Sequence, residues 1–373
     1  MDSNCSRLSC SAWARCPAFA MRIRSPGLFG APGAGLRVGV RACITICMAL
    51  PQLCLVTPAL ADANNGNWQT VKRWSGLLAD HYRVQITNAW DASHPNADLL
   101  VALHARRSAP SIERFSRAAP TRPLVVVLTG TDLYRDLAND ASAQTSVRLA
   151  DRLVVLQENA VLDLPHEVRA KAVVCFQSCT ARKSLVKTSK HLRALMVGHL
   201  REEKSPRTFF DAARRLADRP DILLDHIGEP LEDALGQEAL ALAGCVPNYR
   251  WLGALSHEAT RRRIQRAHVL VHPSCMEGGA HVVMEAVRSG TPVLASRISG
   301  NVGMLGADYG GYFDLGDARA LAVWIERCRE EPAILAQLAA QCALRAPLFE
   351  PARERATLLT LFNELLEKSF DDC

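Results

Sequence analysis

Short apolar runs recur along the chain, each closed by glycine, proline or polar residues. Residues 53–56 (LCLV), 98–104 (DLLVALH) and 123–128 (PLVVVL) are nearly continuous, partly β-branched and too short for helices. They predict strands buried on both faces. Weaker runs at 81–86, 152–156 and 172–176 fit the same role, with helix-period patterns at 68–79, 111–117 and 141–150 between the strands. A second series follows, with strands at 194–197, 222–227, 249–252, 268–272, 292–295 and 311–313. Helices at 206–217, 231–243, 257–266, 280–289, 319–329 and 331–345 interleave or follow them. This alternation predicts an α/β protein of two facing Rossmann-like domains, each a doubly wound parallel sheet, with a cleft between them. The charged segment 180–190 reads as linker. The expected domains are 48–185 and 186–350, with an amphipathic tail helix at 351–370 crossing back onto the first.

Residues 1–47 follow a different pattern. They hold six Arg against one Asp and five of the thirteen Cys, with little periodicity. The composition fits a transit segment, and the uncharged stretch 42–61 after Arg37 and Arg41 fits a signal segment. An internal start at Met48 is the expectation, because cleavage after Ala61 would remove the strand that opens the first domain. Pro51 and Pro58 interrupt the same stretch, so no membrane span of ~20 residues is expected. The net charge of +6 resides mostly in 1–47, and the near-neutral remainder argues against a nucleic-acid-binding body. The other eight Cys form no CxxC pair, which fits a reduced, cytoplasmic setting.

Candidate chemistry falls at predicted strand ends, where such sheets bind ligands. In 274–286 (SCMEGGAHVVMEA), Glu277 and Glu285 lie eight apart, with Gly278, Gly279 and Ala280 between them. The glycines admit close backbone approach and lead into a helix N-terminus, which favours an anion such as a diphosphate. The carboxylates suit the hydroxyls of a sugar or ribose. Upstream, 197–206 (VGHLREEKSP) places His199, Arg201 and Lys204 after a strand, where a cation can neutralise a leaving diphosphate. The glycine-rich 299–306, with Asn301, reads as a switch loop. In the first domain, Asn65, Gly66, Asn67, His104, Thr131 and Asp132 sit at strand ends, and Arg106 and Arg107 suit an anionic acceptor. Each motif alone also fits a structural cap, a tight turn or a solvated basic loop.

Together the glutamate pair, the Gly198–Lys204 segment and the paired halves resemble GT-B glycosyltransferases that use nucleotide-sugar donors, over residues 50–370. Within that superfamily, 61–74 (ADANNGNWQTVKRW), 103–107 (LHARR), 128–134 (LTGTDLY), 197–204, 249–253 (YRWLG) and 300–309 (GNVGMLGADY) resemble the selenosugar synthases of selenoneine biosynthesis. The resemblance implies transfer of N-acetylglucosamine or glucose from a UDP-sugar to selenium supplied by selenophosphate. It implies that Glu285 holds the uridine ribose and Glu277 the donor sugar. Gly278 and Gly279 amides would meet the diphosphate or sugar, Lys204 the diphosphate, and Arg250 and Trp251 would flank the uracil through their backbone. His199 stands where the superfamily carries Arg, so Arg201 is the expected substitute. His104 and Asp132 would orient a substrate. No cofactor or metal is expected, because protein cations would serve the diphosphate and the chain has no Asp-x-Asp motif. Three alternatives stay open: a GT-B enzyme with a hydroxyl acceptor, a UDP-sugar 2-epimerase, and a non-enzymatic sugar-nucleotide sensor.

Overall fold

The computed structural model describes residues 50–58, 60, 66–91 and 97–371. The readings of 1–47 and of Asn65 lie outside the described residues. From Pro51 onward the chain forms one compact unit. The first sheet contains β1 (Gln52–Val56), β2 (Arg83–Thr87), β3 (Leu99–Leu103), β4 (Leu124–Leu128), β5 (Arg152–Val155) and β6 (Ala172–Val174) in the order β2-β1-β3-β4-β5-β6. The second contains β7 (Leu192–Val197), β8 (Ile222–Ile227), β9 (Tyr249–Trp251), β10 (Val269–His272), β11 (Val293–Ser296) and β12 (Tyr312–Phe313) in the order β12-β11-β10-β7-β8-β9. Every described strand pair is parallel.

The apolar runs explain both sheets. In β4, Val126 and Leu128 enter a cluster with Ile112, Phe115 and Val147, while Val125 and Val127 enter another with Trp74, Leu358 and Phe362. Both faces are therefore covered. The strand expected at 81–86 begins at Arg83, because the amides of His81 and Tyr82 still close the preceding helix on the Leu78 carbonyl (2.9 and 3.0 Å).

Strand order places the chemistry. The chain reverses its direction of sheet growth between β1 and β3 in the first sheet, and between β7 and β10 in the second. A crevice opens at the carboxyl ends of strands at such a point. The segments leaving β3 and β4 carry His104 and Thr129–Asp132, and those leaving β7 and β10 carry Gly198–Lys204 and Ser274–Gly279.

The closing helix, Pro351–Asp371, packs Leu358, Leu361 and Phe362 onto the first sheet's Trp74 cluster. Its anchor is Glu354, which is 1% exposed. Glu354 accepts from Arg73 Nε (2.8 Å) and Nη2 (3.0 Å), Trp74 Nε1 (2.6 Å), and the Ser178 amide (3.0 Å) and hydroxyl (2.5 Å). Glu354→Ala leaves these donors buried and unpaired, a loss of about 3–5 kcal/mol. Thermal melts should therefore show Tm falling on the order of 10 °C. An unchanged Tm would contradict this role. Among the described residues, no helix is long and apolar enough to cross a membrane.

Candidate active site

Beyond β7 the chain passes through Gly198, which lies against the aliphatic stem of Lys204. A short turn, Glu202–Lys204, ends at Ser205 in a left-handed conformation (φ 47°), and the helix Pro206–Arg215 begins. This return directs Lys204 Nζ onto Glu277 Oε1 at 2.5 Å. His272, the last residue of β10, places Nε2 3.2 Å from the same oxygen. Burial alone would raise the Glu277 pKa; the charge of Lys204 and the nearby His272 outweigh it and hold the carboxyl well below its ordinary range. Lys204 and His272 both face Oε1, and Oε2 accepts from no described residue. A buried, ionised carboxylate thus keeps one oxygen for a hydroxyl ligand.

Arg201 adds a guanidinium whose Nε is buried without a hydrogen-bond partner among the described residues, 4.0 Å from Glu203 Oε2. His199 accepts from the Glu229 amide through Nδ1 (3.2 Å). Burial lowers its pKa; Glu229 opposes that shift, and Arg201 and Lys204 reinforce it, so His199 is neutral at pH 7. Lys204 and Arg201 are the cations that the segment after β7 brings to this end of the sheet.

The Gly278–Gly279 segment is wedged between the two halves. A Cβ at Gly278 would lie 2.4 Å from the Thr129 carbonyl oxygen, and one at Gly130 would lie 2.9 Å from the Gly278 nitrogen. Gly130 itself has φ 137°. The Gly278 loop therefore touches the β4 loop backbone to backbone. Neither the Gly278 nor the Gly279 amide donates to a described acceptor, whereas the Ala280 amide points at Met304 Sδ (3.1 Å). The Ala280 amide, expected on the donor side with the two glycines, is spent on Met304 of the neighbouring helix. Deeper in the helix His281–Val287, Glu285 is 5% exposed and its Oε1 lies 2.6 Å from His257 Nε2.

Arg250 and Trp251 are tied into the sheet. Arg250 grips Asp225 Oδ1 with Nε (2.8 Å) and Nη2 (2.6 Å), and Trp251 Nε1 donates to the Gly228 carbonyl (3.0 Å). Both side chains are hydrogen-bonded to neighbouring strand segments, and that of Arg250 stays about half exposed.

On the first sheet, His104 has φ 72° and is 2% exposed. Its Nδ1 accepts from the Arg107 amide (3.3 Å), so Nε2 carries the proton and donates to Thr131 Oγ1 (3.0 Å). Burial lowers its pKa against the pull of Asp132, and Arg107 adds to the lowering. The ring is neutral and fixes Thr131. Asp132 has no exposed surface. Its Oδ1 accepts from the Thr129 and Gly130 amides (both 2.9 Å), and its Oδ2 accepts from the Ala105 amide (3.0 Å). The expected contact of Asp132 with substrate is corrected: it shapes the loop that meets Gly278. Arg106 donates to Asp136 (2.9 Å), and Arg107 is exposed with no side-chain partner among the described residues. Gly66 and Asn67 open the helix Gly66–Leu78, which has no acidic residue in its first turn.

The expected switch loop is a helix, Ser299–Leu305. Its glycines serve packing. A Cβ at Gly300 would lie 2.0 Å from the Glu277 carbonyl oxygen, and one at Gly303 would lie 1.6 Å from Gln157 Oε1. Asn301 is wholly buried and donates its amide to the Ser296 carbonyl (2.9 Å) and hydroxyl (3.1 Å), so it belongs to the wall and not to an acceptor surface. His272, His257 and the cross-cleft pair Arg135–Glu203 (3.2 Å) were invisible to motif reading. A histidine ending a strand five residues before Glu277 was the one available signal.

Residues 177–344 match the family model of glycosyl transferases group 1. The two-domain fold is GT-B. Sucrose-phosphate synthase from Thermosynechococcus elongatus is 16% identical over 85% of this chain and 100% of its own, with TM-score 0.70. HepE from Anabaena, in complex with UDP and glucose, is 15% identical over 85% and 100%, with TM-score 0.68. Staphylococcus aureus TarM, in complex with UDP, fondaparinux and alpha-GlcNAc-glycerol, is 13% identical over 71% of this chain, with TM-score 0.59; the match spans only 55% of TarM. Pneumococcal O-GlcNAc transferase GtfA, in complex with UDP and GlcNAc, is 18% identical over 72% of this chain and 57% of its own, with TM-score 0.57. Among curated proteins, none matches by sequence.

Proposed function

We propose that this GT-B protein is a glycosyltransferase that moves a hexose, N-acetylglucosamine or glucose, from a UDP-sugar to selenium supplied by selenophosphate. The observation that carries the donor half is the buried Lys204–Glu277 pair at 2.5 Å beside the free amides of Gly278 and Gly279. Lys204 and those amides would stabilise departing UDP, and Glu277 Oε2 would accept a hydroxyl of the sugar. HepE and GtfA, crystallised with UDP, support that donor class. The selenium acceptor rests on the motif resemblance at 61–74, 103–107 and 128–134. Backbone contact between Gly278 and Thr129–Gly130 leaves little room beside the donor loop, which favours a small acceptor. Arg107 and the amino end of the helix Gly66–Leu78 would hold the selenophosphate oxygens.

In the step proposed, a selenium lone pair forms the Se–C1 bond while the C1–O bond breaks and UDP leaves with its electron pair. Water then cleaves the P–Se bond, giving phosphate and a selenosugar. A selenium acid ionises readily, so a strong general base is not required. No membrane or nucleic-acid partner is part of this reading, and its setting is the cytoplasm. A hydroxyl acceptor is the competing reading, favoured by GtfA, an O-GlcNAc transferase. The test is mass spectrometry of products formed from UDP-N-acetylglucosamine or UDP-glucose with selenophosphate. The expected product carries the selenium isotope pattern and is lost in Glu277→Ala. Sugar transfer only to hydroxyl compounds would overturn the selenium half and keep the donor half.

A further inference from the structure

Glu285 is buried, and among the described residues its side chain has one partner, His257, at 2.6 Å on Oε1. A carboxylate only accepts, so His257 Nε2 bears a proton and donates. His257 is the first residue of the helix His257–Arg266, whose start is fixed by Ser256 Oγ accepting the Ala259 amide (3.3 Å). Glu285 is fixed separately, on the helix His281–Val287, where its carbonyl accepts from Ser289 Oγ (2.6 Å). Two independently anchored helices therefore hold one carboxylate in one orientation. The His257 side chain is 60% exposed, so the pair lies at the solvent boundary, where a ligand can reach it.

We propose that His257 is a positioning residue for nucleotide recognition: it locks Glu285 Oε1 so that Oε2 is presented to a ribose hydroxyl, giving preference for UDP over 2′-deoxy-UDP. The inference rests on the reading of Glu285 as the ribose-binding group and adds the residue that makes it selective. An acceptor carboxylate free to rotate loses orientation entropy when it binds, whereas one already held does not. With Oε1 turned to His257, Oε2 is the oxygen presented to the ribose, and the 2′-hydroxyl is the group it would accept from.

Isothermal titration of the full chain with UDP and with 2′-deoxy-UDP tests this. Wild type is expected to prefer UDP by about tenfold, the value of one hydrogen bond to a charged group. His257→Ala should weaken UDP by about tenfold, leave 2′-deoxy-UDP unchanged and so abolish the preference. His257→Gln, whose amide can still donate, should recover most of it. In turnover, His257→Ala should raise KM for the UDP-sugar with kcat nearly constant. Equal weakening of both nucleotides, or unchanged UDP affinity in His257→Ala, overturns the proposal. Wild-type protein that binds neither nucleotide overturns the nucleotide reading itself, a different failure.

Discussion

Replacing Lys204 with alanine should lower kcat/KM by about a thousandfold. Lys204 serves two groups at once. In the proposed reaction its ammonium meets the charge that develops on departing UDP, and removing one such preorganised donor typically costs about 3 kcal/mol of transition-state stabilisation. It also pairs with buried Glu277 at 2.5 Å. Without Lys204, only His272 opposes the upward push of burial on the Glu277 carboxyl, so its pKa rises and the loop loses an anchor. Stability separates the two roles. In the wild-type protein the Glu277 pKa is depressed, so the pair stabilises the fold at neutral pH and that contribution fades as pH falls through the folded-state value. In Lys204→Ala the depression is reduced to the part His272 supplies, so the gap in Tm from wild type should be widest near pH 7 and narrow below the ordinary carboxylate range. Glu277→Gln should lose activity about a hundredfold with a smaller Tm change, because a neutral amide in that place needs no counter-charge. Steady-state kinetics and thermal melts across pH check each outcome. A Lys204→Ala protein with near-normal kcat/KM would remove the diphosphate role.

The second large effect is predicted for Gly278→Ala. The added methyl group would lie 2.4 Å from the Thr129 oxygen and 2.7 Å from the Gly130 nitrogen. Both are backbone atoms, so no side-chain rotation relieves the collision, and the two halves must part. Separation admits water and pulls His104–Thr131 away from the donor loop. A misplacement of about 1 Å typically costs on the order of a hundredfold in rate, so kcat/KM should fall by about that factor. UDP affinity should hold within a few-fold, because Lys204, Glu277 and Glu285 all belong to the second half. Gly244→Ala is the matched control, since nothing lies within 4 Å of its added methyl. An active Gly278→Ala enzyme would show that the reaction proceeds with the halves apart.

Much of this was legible in sequence because a parallel strand buried on both faces has few options. PLVVVL at 123–128 must be a central strand, and it is β4, with all five residues of the strand buried. The Lys204–Glu277 pairing was approachable for a related reason: both follow strands that the alternation assigned to one sheet. What misled were residues whose partners lie far away in the chain. Glycines at 300, 303 and 306 read as a loop, yet two of them are small because Glu277 and Gln157 occupy the space, and the segment is helical through Leu305. Asp132 at a strand end read as a ligand contact, but three backbone amides from two loops consume it. His257 carries no motif at all. Its importance appears only when a helix 28 residues later brings Glu285 to its ring.

The measurement that tests the central claim most directly is ³¹P nuclear magnetic resonance of the full-length protein incubated with UDP-sugar and selenophosphate, singly and together. UDP is expected only when both are present, in step with the decay of the selenophosphate signal, and Lys204→Ala is expected to abolish both changes. UDP released at the same rate without selenophosphate, or a selenophosphate signal that persists while UDP accumulates, would contradict it.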